Sequence, residues 1–332
     1  MTRRILVTGG AGYIGSVVVE QLVAAGAEVV VLDDLSRGHR VTIPAGVGFV
    51  AGGVGDAGAL RQAFATGPFD AVVHLAAFAL VAESVANPAL YFANNVTAAR
   101  GLVDATVAAR VPRFIFSSSC AVYGHPQVTP IREDTPLAPI NPYGETKRDL
   151  EALLAERAGQ DGLRSVSLRY FNAAGATGRC GEDHDPESHL VPNVLAVALG
   201  RRAAVDVFGT DYPTPDGTAV RDYVHVADIA DAHLRALDAP VAGAVAVNLG
   251  TGTGCSVRDV VQAAEAVTGR RIATTPRPRR PGDPPVLVAA AERAVSVLGW
   301  RPRHSALTEI VATAWRWHQA HPRGYTEQTP GG

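Results

Sequence analysis

The chain has 332 residues, 47% hydrophobic and 19% charged, with a formal net charge of −2. That length accommodates one large or two ordinary domains, and the near-neutral balance provides no global field to recruit nucleic acid or an anionic membrane. No apolar run reaches the ~18 residues of a bilayer span. The opening Met1-Thr2-Arg3-Arg4 leads straight into a short apolar strand without the apolar core of a secretion signal. Three widely spaced cysteines, Cys120, Cys180 and Cys255, suit reduced thiols, so a cytoplasmic location is expected.

In chain order, the apolar run Arg4–Thr8 predicts a strand ending in Gly9-Gly10-Ala11-Gly12-Tyr13-Ile14-Gly15. A helix follows over Ser16–Ala25 and a second strand over Glu28–Asp33. Further strands are predicted at Gly48–Val50, Ala71–Ala76 and Arg113–Ser117, and helices at Ala57–Ala65, Ala89–Ala109 and Tyr143–Ala158. Continuous apolar strands separated by helices predict an α/β fold, a Rossmann-type doubly wound parallel sheet buried on both faces. A smaller, partly interleaved C-terminal substrate domain is expected to follow: residues 1–175 for the dinucleotide, 176–330 for the substrate. Residues 223–249 are expected to return to the first sheet as helix and strand. Pro276–Pro285 reads as a loop and the chain beyond Pro322 as a frayed end. The tryptophans Trp300, Trp315 and Trp317 read as core.

A glycine-rich turn carries meaning through its context. This one follows a strand, opens a helix, and precedes an acid at the end of the next strand. Glycines there permit a tight turn and close approach of a pyrophosphate to the helix N-terminus. Asp33, 18 residues after Gly15, can accept both ribose hydroxyls and would repel a 2′-phosphate, which favours NAD over NADP. Arg37 reads as a solvated loop charge.

Of 30 basic residues, 29 are arginine and one is lysine, Lys147. An ammonium is a compact point charge that a planar guanidinium cannot replace in a tight polar site. Tyr143 precedes it by four residues, so on a helix the two share a face. A phenol with its usual pKa near 10 needs roughly 4 kcal/mol of phenolate stabilisation to act as a base near pH 7. A neighbouring ammonium and a positive nicotinamide ring could supply it together. The strand ending in Ser117-Ser118-Ser119 offers a hydroxyl at the carboxyl end of a parallel sheet, where ligands of such sheets bind.

These segments resemble the extended short-chain dehydrogenase/reductase superfamily: TGGAGYIG at Thr8–Gly15, SSSCAVYG at Ser117–Gly124 and the Tyr143/Lys147 pair. RYFNAAGA at Arg169–Ala176, HLVP at His189–Pro192, VFGTDYPTPDGTAVRDYVHV at Val207–Val226 and RRPGDP at Arg279–Pro284 are similar to the UDP-glucose 4-epimerase family, a likeness running from about Arg3 to Tyr325. The resemblance implies a base at Tyr143, with Lys147 lowering its pKa and holding the nicotinamide ribose, and Ser119 bonding the sugar 4′-oxygen. It implies a 4-keto intermediate and no net redox change. It also implies NAD contacts at Gly9, Gly12, Tyr13, Ile14, Gly15, Asp33, Asp34, Leu35, Ser36, Gly53, Val54, Leu75, Ala76, Ala77, Asn94 and Phe171, beside Tyr143 and Lys147. For a UDP-sugar substrate it implies Arg221 and Arg280 on the diphosphate, Asp283 on the UDP ribose, and Asn172 and Tyr223 on the substrate. His189, Leu190, Val207 and Phe208 would surround the uracil. Leu287 occupies the position that sets room for a 2-acetamido group, and leucine leaves glucose and N-acetylglucosamine nucleotides both open, as pentose and uronate nucleotides also are. A homodimer through Ala89–Ala109 and Tyr143–Ala158 is a further expectation of the resemblance.

The chain departs from the family at three places. Gly52-Gly53 stands where members carry Gly-Asp, Ala79 where some carry lysine, and His189 where some carry asparagine. These positions bear on cofactor retention and substrate hydrogen bonding, not on the reacting atoms. A sugar-nucleotide 4,6-dehydratase would need an Asp-Glu pair where this chain has Cys120-Ala121, which cannot perform the elimination. An NAD-sensing binding protein would have no use for the retained Tyr143 and Lys147. Asp183-His184-Asp185 with His189 lacks a regular helical ligand spacing and reads as a solvated loop, so no metal is expected.

Overall fold

The structure, a computed structural model, describes residues 2–280 and 282–325. The first half alternates as β1 (Arg4–Thr8), α1 (Tyr13–Ala24), β2 (Glu28–Asp33), β3 (Gly48–Ala51), α2 (Ala57–Ala65), β4 (Ala71–His74), α3 (Val81–Ala86), α4 (Pro88–Phe92), α5 (Ala99–Ala108) and β5 (Arg113–Ser119). It continues through α6 (Pro142–Asp161), β6 (Arg164–Tyr170), β7 (Asn172–Ala174), α7 (Leu190–Ala198), β8 (Val205–Phe208), β9 (Val220–His225), α8 (Val226–Ala236) and β10 (Ala244–Leu249). The chain then adds β11 (Gly254–Ser256), α9 (Val257–Thr268), β12 (Thr274–Arg277), β13 (Val286–Leu287), α10 (Glu292–Leu298) and α11 (Leu307–Ala320).

Seven strands form one parallel sheet in the order β10-β6-β5-β4-β1-β2-β3. Side chains alternate along each strand, and both faces are covered. Ile5, Val7, Val29, Val31, Val73 and Ile115 pack with Val17, Val18 and Leu22 of α1 and Ile229 of α8. Leu6, Val30, Leu32, Val72, Phe114 and Phe116 pack on the opposite face with Leu60 of α2, Leu102 of α5 and Leu150 and Leu154 of α6. Burying each such side chain contributes about 2 kcal/mol, which is why these strands are apolar throughout and not alternating. The order reverses between β1 and β4, the switch point at which such sheets open a ligand crevice.

The smaller sheet has β9 between β11 and β13, with β7 also paired to β9, while β12 pairs β8 separately. Helices α7, α9 and α11 enclose a third core with Leu195, Val260, Ile310 and Trp315. The two parts interleave, because β9 runs directly into α8 and β10 returns to the large sheet beside β6. Trp300, Trp315 and Trp317 are buried. Among the described residues no helix is long and apolar enough to cross a membrane.

Several boundaries differ from the sequence reading for identifiable reasons. The first helix starts three residues early, at Tyr13, since Gly12 already takes the N-cap position. The fifth strand extends to Ser119 because its ladder with β6 continues to Ser119–Tyr170. The expected helix Ala89–Ala109 is interrupted by a π-helical stretch at Ala93–Ala98. Within it the buried Asn95 accepts from the Phe78 amide at 2.9 Å and donates to the Phe78 carbonyl at 2.9 Å, a local widening of the kind found at functional sites. Pro276 and Arg277 belong to a strand instead of a loop, paired with Val207 and Phe208; Pro281 lies outside the described residues. Tyr325 is anchored rather than frayed: its ring packs 5.0 Å from Trp317, and its amide donates to Asp183 at 2.7 Å. The rest of the tail, 326–332, lies outside the described residues.

Candidate active site

The glycine turn opens a cleft at the carboxyl ends of β1, β2 and β4. A Cβ on Gly15 would stand 2.0 Å from the Gly9 carbonyl oxygen, so only glycine lets α1 close onto the turn. Gly12 caps α1 without a side-chain acceptor, leaving the first-turn amides and the positive end of the helix dipole facing the cleft. Gly9, Gly12, Asp33, Asp34, Ser36, Gly53, Val54, Leu75, Ala76, Ala77 and Asn94 line this space. The Asp33 carboxylate accepts from the Ala11 and Leu35 amides, each at 2.9 Å. Leu35 reaches it by adopting φ +60°. Burial raises the Asp33 carboxyl above its ordinary value, and those two amides oppose the rise. Each oxygen keeps capacity for a ribose hydroxyl, and the apolar Val54 and Leu75 frame a flat ring. The chemistry of this set fits a dinucleotide.

Tyr13, Ile14, Gly15, Leu35 and Phe171, expected at the cofactor, do not line this space, and Leu35 packs against the core. Tyr13 donates to the Gly175 carbonyl at 2.6 Å and Ile14 packs on the core, while Gly15 lies beneath the turn. Phe171 is buried with Cys120, Val122 and Tyr123. Arg37, expected as a solvated charge, instead lines the cleft, with its guanidinium 2.8 Å from the Glu83 carboxylate. Glu83 neutralises the cation, so Arg37 offers little attraction to a 2′-phosphate.

Helix α6 delivers the reacting groups. Asn141 caps it, accepting from the Gly144 amide at 2.8 Å, and Pro142 occupies its first turn. Gly144 is obligatory here: a Cβ would lie 2.5 Å from the Ala121 carbonyl oxygen, so its absence lets the helix start lie against the segment after β5. Tyr143 thereby meets Ser119. Lys147 is 3% exposed, donates to the Ser117 carbonyl at 2.8 Å, and sits 5.7 Å from the Tyr143 ring centroid. Burial pushes the Tyr143 phenol up to about 12, against the pull of the Ser119 hydrogen bond. Burial also lowers Lys147 to about 7, with Glu151 opposing. The chain's own groups therefore keep the phenol protonated, and bringing it to pH 7 requires on the order of 7 kcal/mol at 1.36 kcal/mol per unit.

The sugar-nucleotide residues gather on the smaller sheet. Asn172 pairs with Tyr223 across β7 and β9, and Leu287 pairs with Arg221 across β13 and β9. Arg221 forms an ion pair with Asp283, and Arg280 stacks 4.0 Å over the Phe208 ring. Val207 is buried on β8, and Leu190 is the first residue of α7, directly after His189.

A family model described as the NAD dependent epimerase/dehydratase family matches residues 5–250. The chain belongs to that family. It is 49% identical over 330 residues to a UDP-glucose 4-epimerase of Streptomyces lividans, covering 99% of this chain and 100% of the relative. Among solved structures, a UDP-glucose 4-epimerase from Brucella ovis in complex with NAD superposes with a TM-score of 0.92 at 45% identity, covering 95% of this chain and 98% of that one. One from Bifidobacterium longum in complex with NAD+ and UDP gives 0.93 at 37% identity, covering 97% and 100%.

Two further groups of side chains lie close to these sites. Glu151 accepts from Ser118 at 2.5 Å and from Arg169 at 2.9 and 2.5 Å, and Arg169 donates to the Tyr123 hydroxyl at 2.7 Å, which donates to Asn248 at 2.7 Å. This buried network fixes α6 to β5 and β6 and so positions Lys147. The sequence carried a signal for it: Glu151 follows Lys147 by four residues, as Lys147 follows Tyr143, on one helix face. The second group lies at 182–189, a loop as expected and exposed at Asp185, Pro186 and Ser188, but turned inward at Glu182. Glu182 is 6% exposed, and Asp183 accepts from Tyr325. His184 and His189 flank Glu182 at 3.3 and 2.7 Å.

Proposed function

We propose that the protein interconverts UDP-galactose and UDP-glucose by inverting C4′, with Tyr143 as the proton-transferring base. The convergence of Tyr143, Lys147 and Ser119 beside a dinucleotide cleft carries this reading. Near full-length identity to UDP-glucose 4-epimerases supports the substrate.

Bound NAD⁺ supplies a positive charge beside the phenol and reversible two-electron acceptance at the sugar C4′. Tyr143 then takes the proton of the 4′-hydroxyl and later returns it, while the Ser119 hydroxyl holds the 4′-oxygen in place. Lys147, fixed by the Ser117 carbonyl, stabilises the phenolate and would help hold the nicotinamide ribose of a bound NAD. Arg221 and Arg280 hold the diphosphate, as guanidinium groups suit such an anion, so that a 4-keto sugar can present either face without leaving. Asp283 and Asn172 fix the ribose and the sugar.

Two coarser features accompany the reading. The exposed Leu90, near the start of Ala89–Ala109, supports a homodimer through Ala89–Ala109 and Tyr143–Ala158. The free Cys120, Cys180 and Cys255 support a reducing, cytoplasmic setting. Proton NMR of purified protein with UDP-galactose tests the activity: the UDP-glucose anomeric signal is expected. Its failure to appear even with added NAD overturns the reading.

A further inference from the structure

Glu182, His184, Glu187 and His189 each offer a ligand atom within 4.8 Å of the others. His189 Nδ1 lies 2.7 Å from Glu182 and 3.2 Å from Glu187, and His184 Nδ1 lies 3.3 Å from Glu182 and 3.7 Å from Glu187. A zinc ion with bonds near 2.1 Å holds tetrahedral ligands about 3.4 Å apart, within the range these contacts span.

Two observations separate the cluster from an ordinary ion-paired loop. The Nδ1 atoms of both histidines are buried, and neither makes a hydrogen bond. The rings are close to the carboxylates without pointing protons at them. Glu182, its side chain only 6% exposed, is crowded by both rings, with His189 Nδ1 at 2.7 Å and His184 Nδ1 at 3.3 Å from the same carboxylate oxygen. Buried polar atoms left in that condition call for a missing partner.

We propose that Glu182, His184, Glu187 and His189 bind a divalent transition-metal cation of the zinc class in a closed tetrahedral shell. Two carboxylates neutralise the dication where uncompensated charge would be costly, and two imidazoles select against magnesium and calcium, which take oxygen donors. The ligands are held in place by neighbours. The His189 amide donates to Glu187 at 2.7 Å, and the Tyr13 ring stands edge-on to His184 at 6.1 Å. The site lies outside the Tyr143 chemistry, and because the resemblance also places His189 beside the uracil, His184 and Glu187 are the ligands whose substitution tests metal binding apart from epimerisation.

The test is calorimetric titration of chelator-treated, NAD-loaded full-length protein with zinc chloride. One equivalent is expected to bind, with affinity reduced about 100-fold or more by His184→Ala and by Glu187→Gln, at the upper end of or beyond what loss of a merely supporting residue costs. Metal-free circular dichroism of the variants should match the parent. Cobalt(II) loading of the unmodified protein reads the ligand set even if a variant misfolds: visible d–d bands without thiolate charge-transfer absorption are expected. Absence of stoichiometric uptake, uptake surviving both substitutions, or a thiolate signature from Cys255 would overturn the proposal.

Discussion

On the cofactor side of the cleft, Gly9, Gly12 and Gly53 expose bare backbone, and of the two lining acids Asp33 is held by the Ala11 and Leu35 amides. On the sugar-nucleotide side the surface is made of side chains that meet from far apart in the chain: Arg221 with Asp283, and Arg280 with Phe208. The first is a shape fixed by where side chains are missing, the second a set of charges and rings fixed by pairing. At Gly9 and Gly15 the cradle leaves no room for an added atom, whereas paired side chains can be exchanged at graded cost. The reacting residues sit on the seam, carried by a helix that belongs to the large sheet.

The seam should give the largest effect. Tyr143→Phe removes the only phenol placed to move the proton and is expected to lower kcat by about 10³-fold, on the order of 4 kcal/mol. NAD content and Tm should hold; near-parental turnover would break the assignment of chemistry to the seam. Glu151→Gln comes next, since it leaves the buried Arg169 without its carboxylate. A loss of about 3–5 kcal/mol is expected, read as an earlier denaturant midpoint, and an unchanged midpoint would mean that the seam is not braced there. Acid provides a third probe. Burial holds His74 at about 3, and His225 and His233 at about 4, all below the ordinary 6.5. The unfolded chain therefore binds more protons than the folded one between those values and 6.5. The contribution of these three imidazoles to stability should be complete above pH 6.5 and fall on acidification, with a slope from them of nearly three protons per molecule near pH 5. A flat Tm over that range would contradict neutral burial. The smallest effect should come from the paired side. Arg280→Ala is expected to raise KM for the UDP-sugar about tenfold, or 1.4 kcal/mol, with kcat retained. An unchanged KM would take Arg280 out of the diphosphate site.

How much could be read in advance follows the same division. Glycine spacing after a strand states its own geometry, so the turn, Asp33 and the doubly wound sheet were legible from Thr8–Asp33 alone. Tyr143 and Lys147 were legible because four residues make one helical turn. The pairing of Arg221 with Asp283, 62 positions apart, has no local signature, and only resemblance pointed to those residues. Two features escaped even that. The π-helical turn around Asn95 arises from a bond to Phe78, 17 positions earlier. The crowding of Glu182 by His184 and His189 depends on how the loop before α7 folds back, which the acidic composition of the segment masked as solvated surface.

The solitary Lys147 has a consequence for spectroscopy. Protein grown on ¹⁵N-lysine would carry a single labelled side chain, buried beside the phenol. One resonance would then follow the protonation of the reacting pair through binding and turnover, free of overlap from any other ammonium and needing no assignment.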